Sequence, residues 1–362
     1  MDRALYGPDG FFVSGAGPAA HFRTSVHASP VFASCLLRLL SSLDHALGHP
    51  ARLHVVDVGA GRGELLRALL AGVSGEPARP SPSGPGSFST GPSPAAPVPL
   101  AHRVRLTAVE RAPRPENLPA EIDWVDEIPD RITGLLVATE WLDNVPVDLA
   151  VRADDGWRYL LVDPKTGDES IGDPVGAEDA DWLDHWWPTP ASDATIPITI
   201  GLPTGARAEI GRTRDEAWAG AVGHLDRGLA LTVDYGHLKG ERPVGGTLTG
   251  YRGGRQVTPV PDGSCDVTAH VAMDSVAFAG ERIARCAYTL VSQREGLRAL
   301  GAHGGRPPLS LASRDPAGYV RALAAASTVA ELTDPAGLGG HWWLRQPVGG
   351  VDLDPFVARW RA

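Results

Sequence analysis

The sequence is poor in the features that mark several classes of protein. Its three cysteines, Cys35, Cys265 and Cys286, are widely spaced and odd in number, so they predict neither a disulfide framework nor a metal site. It has no run of about 18 apolar residues and no basic segment leading into an apolar one near its start, so we expect no membrane span and no leader peptide. Lysine is scarce, which is typical of GC-rich bacterial genomes. We therefore expect a bacterial, cytoplasmic protein.

Basic residues are fewer than acidic ones. The 362 residues carry a formal net charge of −10 and a pI of about 5.6. Because non-specific nucleic-acid binding depends on a basic surface, we expect no nucleic-acid partner. The hydrophobic fraction of 43% and charged fraction of 21% are those of an ordinary globular protein. The length allows one large domain or two.

Apolar segments with strand character alternate with helical ones along much of the chain. The apolar runs at 53–58, 104–110, 134–140 and 229–236 predict buried strands. Apolar residues at helical spacing predict helices over 29–47, 63–70 and 208–225. This alternation predicts an α/β fold with a Rossmann-like, largely parallel sheet and helices on both faces.

Two segments interrupt this alternation. Residues 74–99 are dominated by Pro, Ser and Gly and predict a disordered or loosely ordered surface insertion. Residues 150–206 are rich in acids, prolines and tryptophan and predict extra irregular or helical elements. We divide the chain into an N-terminal segment and helix over the active site (1–50), a Rossmann-like cofactor core (51–149), an inserted substrate-side subdomain (150–225), and the rest of the sheet with C-terminal helices (226–362).

Three glycines follow the first predicted strand within five residues. Glycine lets the backbone turn tightly and approach a ligand, and the helix N-terminus that follows offers free N–H groups. The third glycine comes one residue too early for the dinucleotide fingerprint, which disfavours an NAD-dependent oxidoreductase, and no P-loop lysine follows. The spacing resembles the first motif of class I S-adenosylmethionine-dependent methyltransferases. The cofactor-binding residues predicted from this loop are Asp57, Gly59, Ala60, Gly61 and Gly63.

A carboxylate at the end of the second strand would complete this site. A cofactor ribose needs such an acid about 20 residues beyond the glycine loop. Glu110 follows Gly63 by 47 residues, but the insertion at 74–99 supplies 26 of them and leaves 21. We therefore expect Glu110 to bind the ribose hydroxyls.

Several further blocks resemble the MidA family, whose mitochondrial members are complex I assembly methyltransferases. The blocks, in the order of the family, are HFRTSVHASPVFA, VVDVGAGRGELLRALL, ATEWLDNVPV, LALTVDYGH, TLTGYRGGR and DVTAHV. The resemblance implies a Rossmann-like methyltransferase fold, S-adenosyl-L-methionine as methyl donor with S-adenosyl-L-homocysteine as product, and methylation of an arginine in a protein substrate, by analogy a complex I subunit.

Glu140 and Asp143 are the best candidates for the acceptor site. Two carboxylates after the third strand can hold a guanidinium and localise its charge. The alternative is a pair of acids placed at a helix N-terminus, where the helix dipole favours them. Asp234, at the end of the fourth strand, is a further candidate catalytic residue.

The chain departs from the family pattern at several positions, among them Ala272 and Met273, where the family has Asp and Phe. His21 and His27 stand where the family has Asp and Glu, which weakens a pocket for arginine. His27 could instead act as a general base for a less basic acceptor. The alternatives are therefore a methyltransferase for a small molecule or a non-arginine side chain, and a non-catalytic cofactor-binding assembly factor.

Overall fold

The computed structural model describes residues 1–14, 30–75, 98–187 and 204–353. The strands are β1 (Leu53–Val58), β2 (Val104–Val109), β3 (Ile122–Val125), β4 (Ile132–Thr139), β5 (Asp148–Ala153), β6 (Gly156–Val162), β7 (Glu169–Pro174), β8 (Arg207–Ile210), β9 (Leu225–Asp234), β10 (Gly236–His237), β11 (Thr249–Arg252), β12 (Arg255–Val257), β13 (Asp266–Thr268), β14 (Val271–Ala272), β15 (Thr289–Ser292) and β16 (Trp342–Val348). The helices are α1 (Asp2–Tyr6), α2 (Phe11–Ser14), α3 (Pro30–Ala46), α4 (Glu64–Gly75), α5 (Leu100–Arg103), α6 (Ala177–Trp186), α7 (Arg212–Gly223), α8 (Met273–Ala284), α9 (Gln293–Ala299), α10 (Leu309–Arg314) and α11 (Pro316–Leu332).

A seven-stranded sheet forms the centre of the fold. Its strand order is β15-β16-β9-β4-β1-β2-β3. The pairs from β9 to β3 are parallel, whereas β16 runs antiparallel to both of its neighbours. Strands β1, β4 and β9 are buried along most of their length because both faces of the sheet are covered. The predicted α/β fold is confirmed, and its reversed strand β16 could not be read from the sequence.

Helices cover the two faces of this sheet and form separate cores. On one face, α3 and α4 bury residues such as Phe32, Leu36 and Leu66. On the other face, α7 and α8 bury residues such as Trp218 and Val276. The helix predicted over 29–47 is confirmed and spans Pro30–Ala46.

A smaller antiparallel sheet follows the third predicted strand. Its order is β7-β6-β5-β8, and α6 packs on it through Trp182 and Leu183. The prediction of one helix over 208–225 was wrong in its first part, because Arg207–Ile210 pairs with β5 as a strand. A short segment without a strong helical pattern becomes a strand where a neighbouring strand is available for pairing.

A buried ion pair between Asp44 of α3 and Arg103, the residue before β2, lies near the amino ends of β1 and β2. Arg103 donates two hydrogen bonds of 2.7 Å to the carboxylate of Asp44 and further bonds to the carbonyls of Pro50 and Val98. The first residues of the predicted insertion belong to α4, and positions 76–97 lie outside the described residues. Arg103 thus ties the chain where it enters β2 to the chain before β1.

The part of the chain that the structure describes has no helix long and apolar enough to cross a membrane. Within the same part, no three His, Cys, Asp or Glu side chains are grouped in a way that could hold a metal ion.

Candidate cofactor and acceptor site

A cavity of about 550 Å³ lies at the carboxyl ends of β1, β2 and β4. This is the edge where ligands bind in open α/β sheets, and the volume is typical of a small-molecule site. The acidic side chains that line the cavity outnumber the two arginines, Arg62 and Arg111. The acidic residues are Asp2, Asp57, Glu64, Glu110, Asp126, Glu140 and Asp143.

The glycine loop forms one wall of this cavity. Gly59, Gly61 and Gly63 all have positive φ, between 58° and 77°, which disfavours any residue with a Cβ. A Cβ on Gly59 would lie 2.8 Å from the ring of Trp141, and one on Gly63 would lie 2.7 Å from Leu118. The glycines are therefore required by backbone conformation and by packing, as well as by any ligand.

Glu110 is joined to the glycine loop by hydrogen bonds. Its carboxylate accepts the N–H of Gly61 at 3.0 Å and the N–H of Ala112 at 3.1 Å. The N–H groups of Gly59 and Ala60 donate to the carbonyl of Val109, the preceding residue. A carboxylate can accept about four hydrogen bonds, so Glu110 retains acceptor capacity at the cavity wall.

Asp57 lies beneath the loop at the end of β1. Its side chain is 2% exposed, and its Oδ1 atom has no hydrogen-bond partner. Burial raises the pKa of Asp57 to about 8, and the neighbouring carboxylates of Glu110 and Glu64 contribute to the rise. A buried acid without a partner at a cavity wall suits a ligand that brings positive charge or a hydrogen-bond donor.

Glu140 stands at the end of β4 in a strained conformation. Its φ of 51° is unusual for a residue with a side chain, and such strain is concentrated at functional sites. Its backbone N–H donates to the carbonyl of Val233 at 2.8 Å. Its carboxylate lies 4.0 Å from Nδ1 of His341, whose pKa is lowered to about 4 by burial and by nearby His270. Glu140 therefore faces a neutral imidazole at ordinary pH.

Asp143 occupies the 3₁₀ turn Leu142–Asn144 just after Glu140. It is 3% exposed, and its Oδ2 atom accepts hydrogen bonds from the hydroxyls of Tyr235 and Thr268. Its Oδ1 atom has no partner, although the residue lines the cavity. Burial raises the pKa of Asp143, and the two hydroxyl donors oppose the rise.

Asp234 lies under this turn and does not line the cavity. It is fully buried and accepts the N–H groups of Leu142 at 3.0 Å and Asp143 at 3.2 Å. Burial, together with the charges of Asp143 and Glu140, raises its pKa well above the usual range. The turn is therefore held in place by Asp234, whose side chain is kept away from a ligand.

Other polar residues at the ends of strands do not line the cavity. His237 is buried, and its Nδ1 atom lies 2.7 Å from Arg242. Asp266 accepts a hydrogen bond from Asn144 at 3.0 Å. His21 and His27 lie outside the described residues.

Two residues that the sequence analysis missed shape the site. Tyr6 of α1 lines the cavity, and its ring lies under the guanidinium of Arg111. Arg214 of α7 is 1% exposed and donates to four backbone carbonyls, those of Val145 at 3.1 Å, Ala269 at 3.1 Å, His270 at 2.9 Å and Asp143 at 2.6 Å. In the sequence, only the nearby aromatic residues Phe11 and Phe12 mark Tyr6 as a residue of interest. Arg214 is an arginine within a helical pattern, and nothing in the sequence around it indicates a buried role.

Solved structures that resemble this chain include two crystal structures of one protein superfamily. One is a protein from Burkholderia thailandensis described as a "likely methyl transferase" and crystallised with S-adenosyl-homocysteine. It is 24% identical to this chain, with a TM-score of 0.72 over 97% of this chain and 87% of that one. A native structure of a protein of the same superfamily from that organism is also 24% identical, with a TM-score of 0.68 over 97% of this chain and 86% of the other. Among curated proteins, no relative matches the sequence.

The sheet order and these structural relatives define a Rossmann-like methyltransferase fold. Residues 96–291 match a protein family described as "Putative S-adenosyl-L-methionine-dependent methyltransferase". Because the match covers more than half of the chain, the protein belongs to this family, and its cofactor is S-adenosyl-L-methionine. Glu110, Glu140, Asp143 and Asp234 fall within the matched segment, whereas the glycine loop precedes it.

Replacing Arg214 by methionine is expected to destabilise the protein by about 3–5 kcal/mol, because four buried carbonyls and the nearby carboxylates lose their shared cation. Urea denaturation would measure this loss. The matched control is Arg212→Met on the same helix, whose side chain is 38% exposed and pairs with Asp179 and Glu216. That variant should lose no more than about 1 kcal/mol. Equal losses in the two variants would contradict a special role for Arg214.

Proposed function

We propose that the protein transfers a methyl group from S-adenosyl-L-methionine to a protein side chain. Arginine is the side chain that we consider first. The observation that carries the proposal is Asp143, a buried acid at the cavity wall with one carboxylate oxygen that no protein group satisfies. Glu140 supplies a second carboxylate three residues away. Two acids at the end of an acidic cavity suit a cationic acceptor better than a neutral one.

We assign the part of the cavity beside the glycine loop and the ends of β1 and β2 to the cofactor, and call it the cofactor half. Glu110 would accept the ribose hydroxyls, and the backbone of Gly59, Ala60, Gly61 and Gly63 would lie along the cofactor. Asp57 would face the positive charge from below the loop. The group fits these residues because Asp57 Oδ1 has no protein partner and the loop has no Cβ at its glycines.

The acceptor chemistry follows from the two carboxylates. Bound S-adenosyl-L-methionine supplies a methyl group on a positively charged sulfur. A guanidinium has a pKa above about 12 and is a poor nucleophile until its charge is drawn to the nitrogens that carboxylates bind. Glu140 and Asp143 would hold two nitrogens and leave the third directed at the methyl group. With the donor bound, the N–C bond would form as the S–C bond breaks, and a carboxylate oxygen would take the proton that the methylated nitrogen releases.

The resemblance to the MidA family supports a protein as the acceptor. Its mitochondrial members methylate an arginine of a complex I subunit, so we propose a subunit of respiratory complex I as partner and the bacterial cytoplasm as the location.

Replacing Glu110 by glutamine is expected to weaken the binding of S-adenosylhomocysteine by about 10-fold or more, because a charged acceptor for the ribose hydroxyls is lost. Isothermal titration would measure the affinity. Glu127→Gln, an exposed glutamate that does not line the cavity, should bind within about twofold of the wild type. Unchanged affinity in Glu110→Gln would rule out the ribose role.

The affinity for S-adenosylmethionine should rise with pH up to about 8, because Asp57 holds a proton below its raised pKa and a cation favours the ionised form. Titrations at several pH values would show the rise, and two buffers of different ionisation enthalpy would show proton release on binding. Asp57→Asn should abolish the part of the pH dependence that belongs to this site. S-adenosylhomocysteine, which lacks the charge on sulfur, should show a smaller rise. The same pH profile in Asp57→Asn and the wild type would contradict the assignment.

Methyl transfer is tested with labelled S-adenosylmethionine and an extract of the source organism that lacks the gene. The expected result is one labelled protein with the methyl group on an arginine, found by mass spectrometry. Asp143→Asn should transfer at least about 100-fold more slowly while binding the cofactor normally, because the acceptor nitrogen is no longer held in line. The exposed Asp184→Asn serves as control.

Each other outcome of that labelling experiment is informative. Label on a small molecule or on another side chain would overturn the choice of arginine. Cofactor binding without any label transfer would favour a non-catalytic assembly factor. Wild-type transfer by Asp143→Asn would overturn the acceptor role of that residue.

A further inference from the structure

The N-terminal helices α1 and α2 form one wall of the cavity. They lie outside the segment that matches the family, and they are separate from the glycine loop. Leu5 and Phe11 are buried against Cys265 and Val267, on and beside β13. The carbonyl of Asp9 lies so close to Gly263 that a Cβ there would approach to 2.4 Å. The two helices are therefore firmly packed on the body of the protein.

Tyr6 projects from this wall to both halves of the cavity. Its ring centroid lies 5.0 Å from the guanidinium carbon of Arg111, the residue that follows Glu110. Its hydroxyl donates to the carbonyl of Asn144, the residue that follows Asp143, at 3.5 Å. One side chain thus contacts the neighbour of the predicted ribose acid and the neighbour of the predicted acceptor acid.

The surroundings keep the hydroxyl of Tyr6 protonated. Burial raises the pKa of Tyr6, and the carboxylates of Asp143 and Glu110 raise it further, although Arg111 opposes them. The phenol therefore remains a hydrogen-bond donor at any ordinary pH. Asp2 also lies 3.8 Å from Arg111, so α1 engages that arginine at two points.

We propose that Tyr6 is a positioning residue. It sets the spacing between the part of the cavity assigned to the cofactor and the part that carries Glu140 and Asp143. This inference rests on the proposed function. An in-line transfer needs the nucleophile about 3–3.5 Å from the methyl carbon, so a small shift of either half slows the reaction. The ring of Tyr6 holds Arg111 and the loop of Glu110, and its hydroxyl holds the turn that carries Asp143.

Two substitutions separate these roles. Tyr6→Phe keeps the ring and removes the hydroxyl, so binding of S-adenosylhomocysteine should stay within about twofold while transfer of labelled methyl into the extract slows about 10-fold at saturating cofactor. Tyr6→Leu also removes the ring, and it should weaken S-adenosylhomocysteine binding about fivefold. Tyr319→Phe on α11, outside the cavity lining, is the matched control for both measurements.

A double-variant cycle tests the ring contact without any acceptor. Arg111→Met alone should weaken S-adenosylhomocysteine binding, and Tyr6→Leu combined with Arg111→Met should bind no more weakly than the worse single variant, because both remove one shared contact. Additive losses, or Tyr6→Phe transferring at the wild-type rate, would overturn the inference. If the label lies on another side chain but Tyr6→Phe is still slow, the choice of arginine fails and the role of Tyr6 stands.

Discussion

The buried guanidinium of Arg214 is the interaction on which the turn that carries Asp143 depends. It reaches the carbonyls of Asp143 and Val145 after β4 and those of Ala269 and His270 after β13. Backbone carbonyls buried without a donor are costly, so this cation stabilises the approach of the two chain segments. Direct hydrogen bonds, from Asn144 to Asp266 and from Thr268 to Asp143, add to it. The position of the Asp143 carboxylate at the cavity wall is a consequence.

Acidic side chains are concentrated in and beneath the wall of the same cavity. Burial raises the pKa values of Asp57, Asp143 and Asp234 in the free protein, and neighbouring carboxylates add to the rise for Asp57 and Asp234. A positively charged ligand relieves part of this cost by favouring the ionised acids, so charge is an element of recognition as well as of stability. An acidic cavity suits a donor that carries a positively charged sulfur.

Much of the arrangement around the glycine loop could be predicted because it depends on local chain geometry. A buried strand, a glycine turn and an acid after the next strand are adjacent in any parallel β-α-β unit, so Glu110 reaches the loop whatever lies in the insertion. Asp234 occupies a similar strand-end position, yet it lies beneath the turn Leu142–Asn144 that crosses over it from β4. Strand position alone could not distinguish the two cases, because the covering turn comes from another part of the chain.

The sequence by itself determined the α/β class, the glycine loop and the strand-end acids, because hydrophobic periodicity and glycine spacing act over a few residues. Only the tertiary structure decided that residues 207–210 pair as a strand, that Arg214 joins two distant loops, and that Tyr6 lines the cavity. Each of these depends on contacts between segments far apart in the chain. Burial then gives such contacts their strength, because it removes the water that would otherwise satisfy the same polar groups.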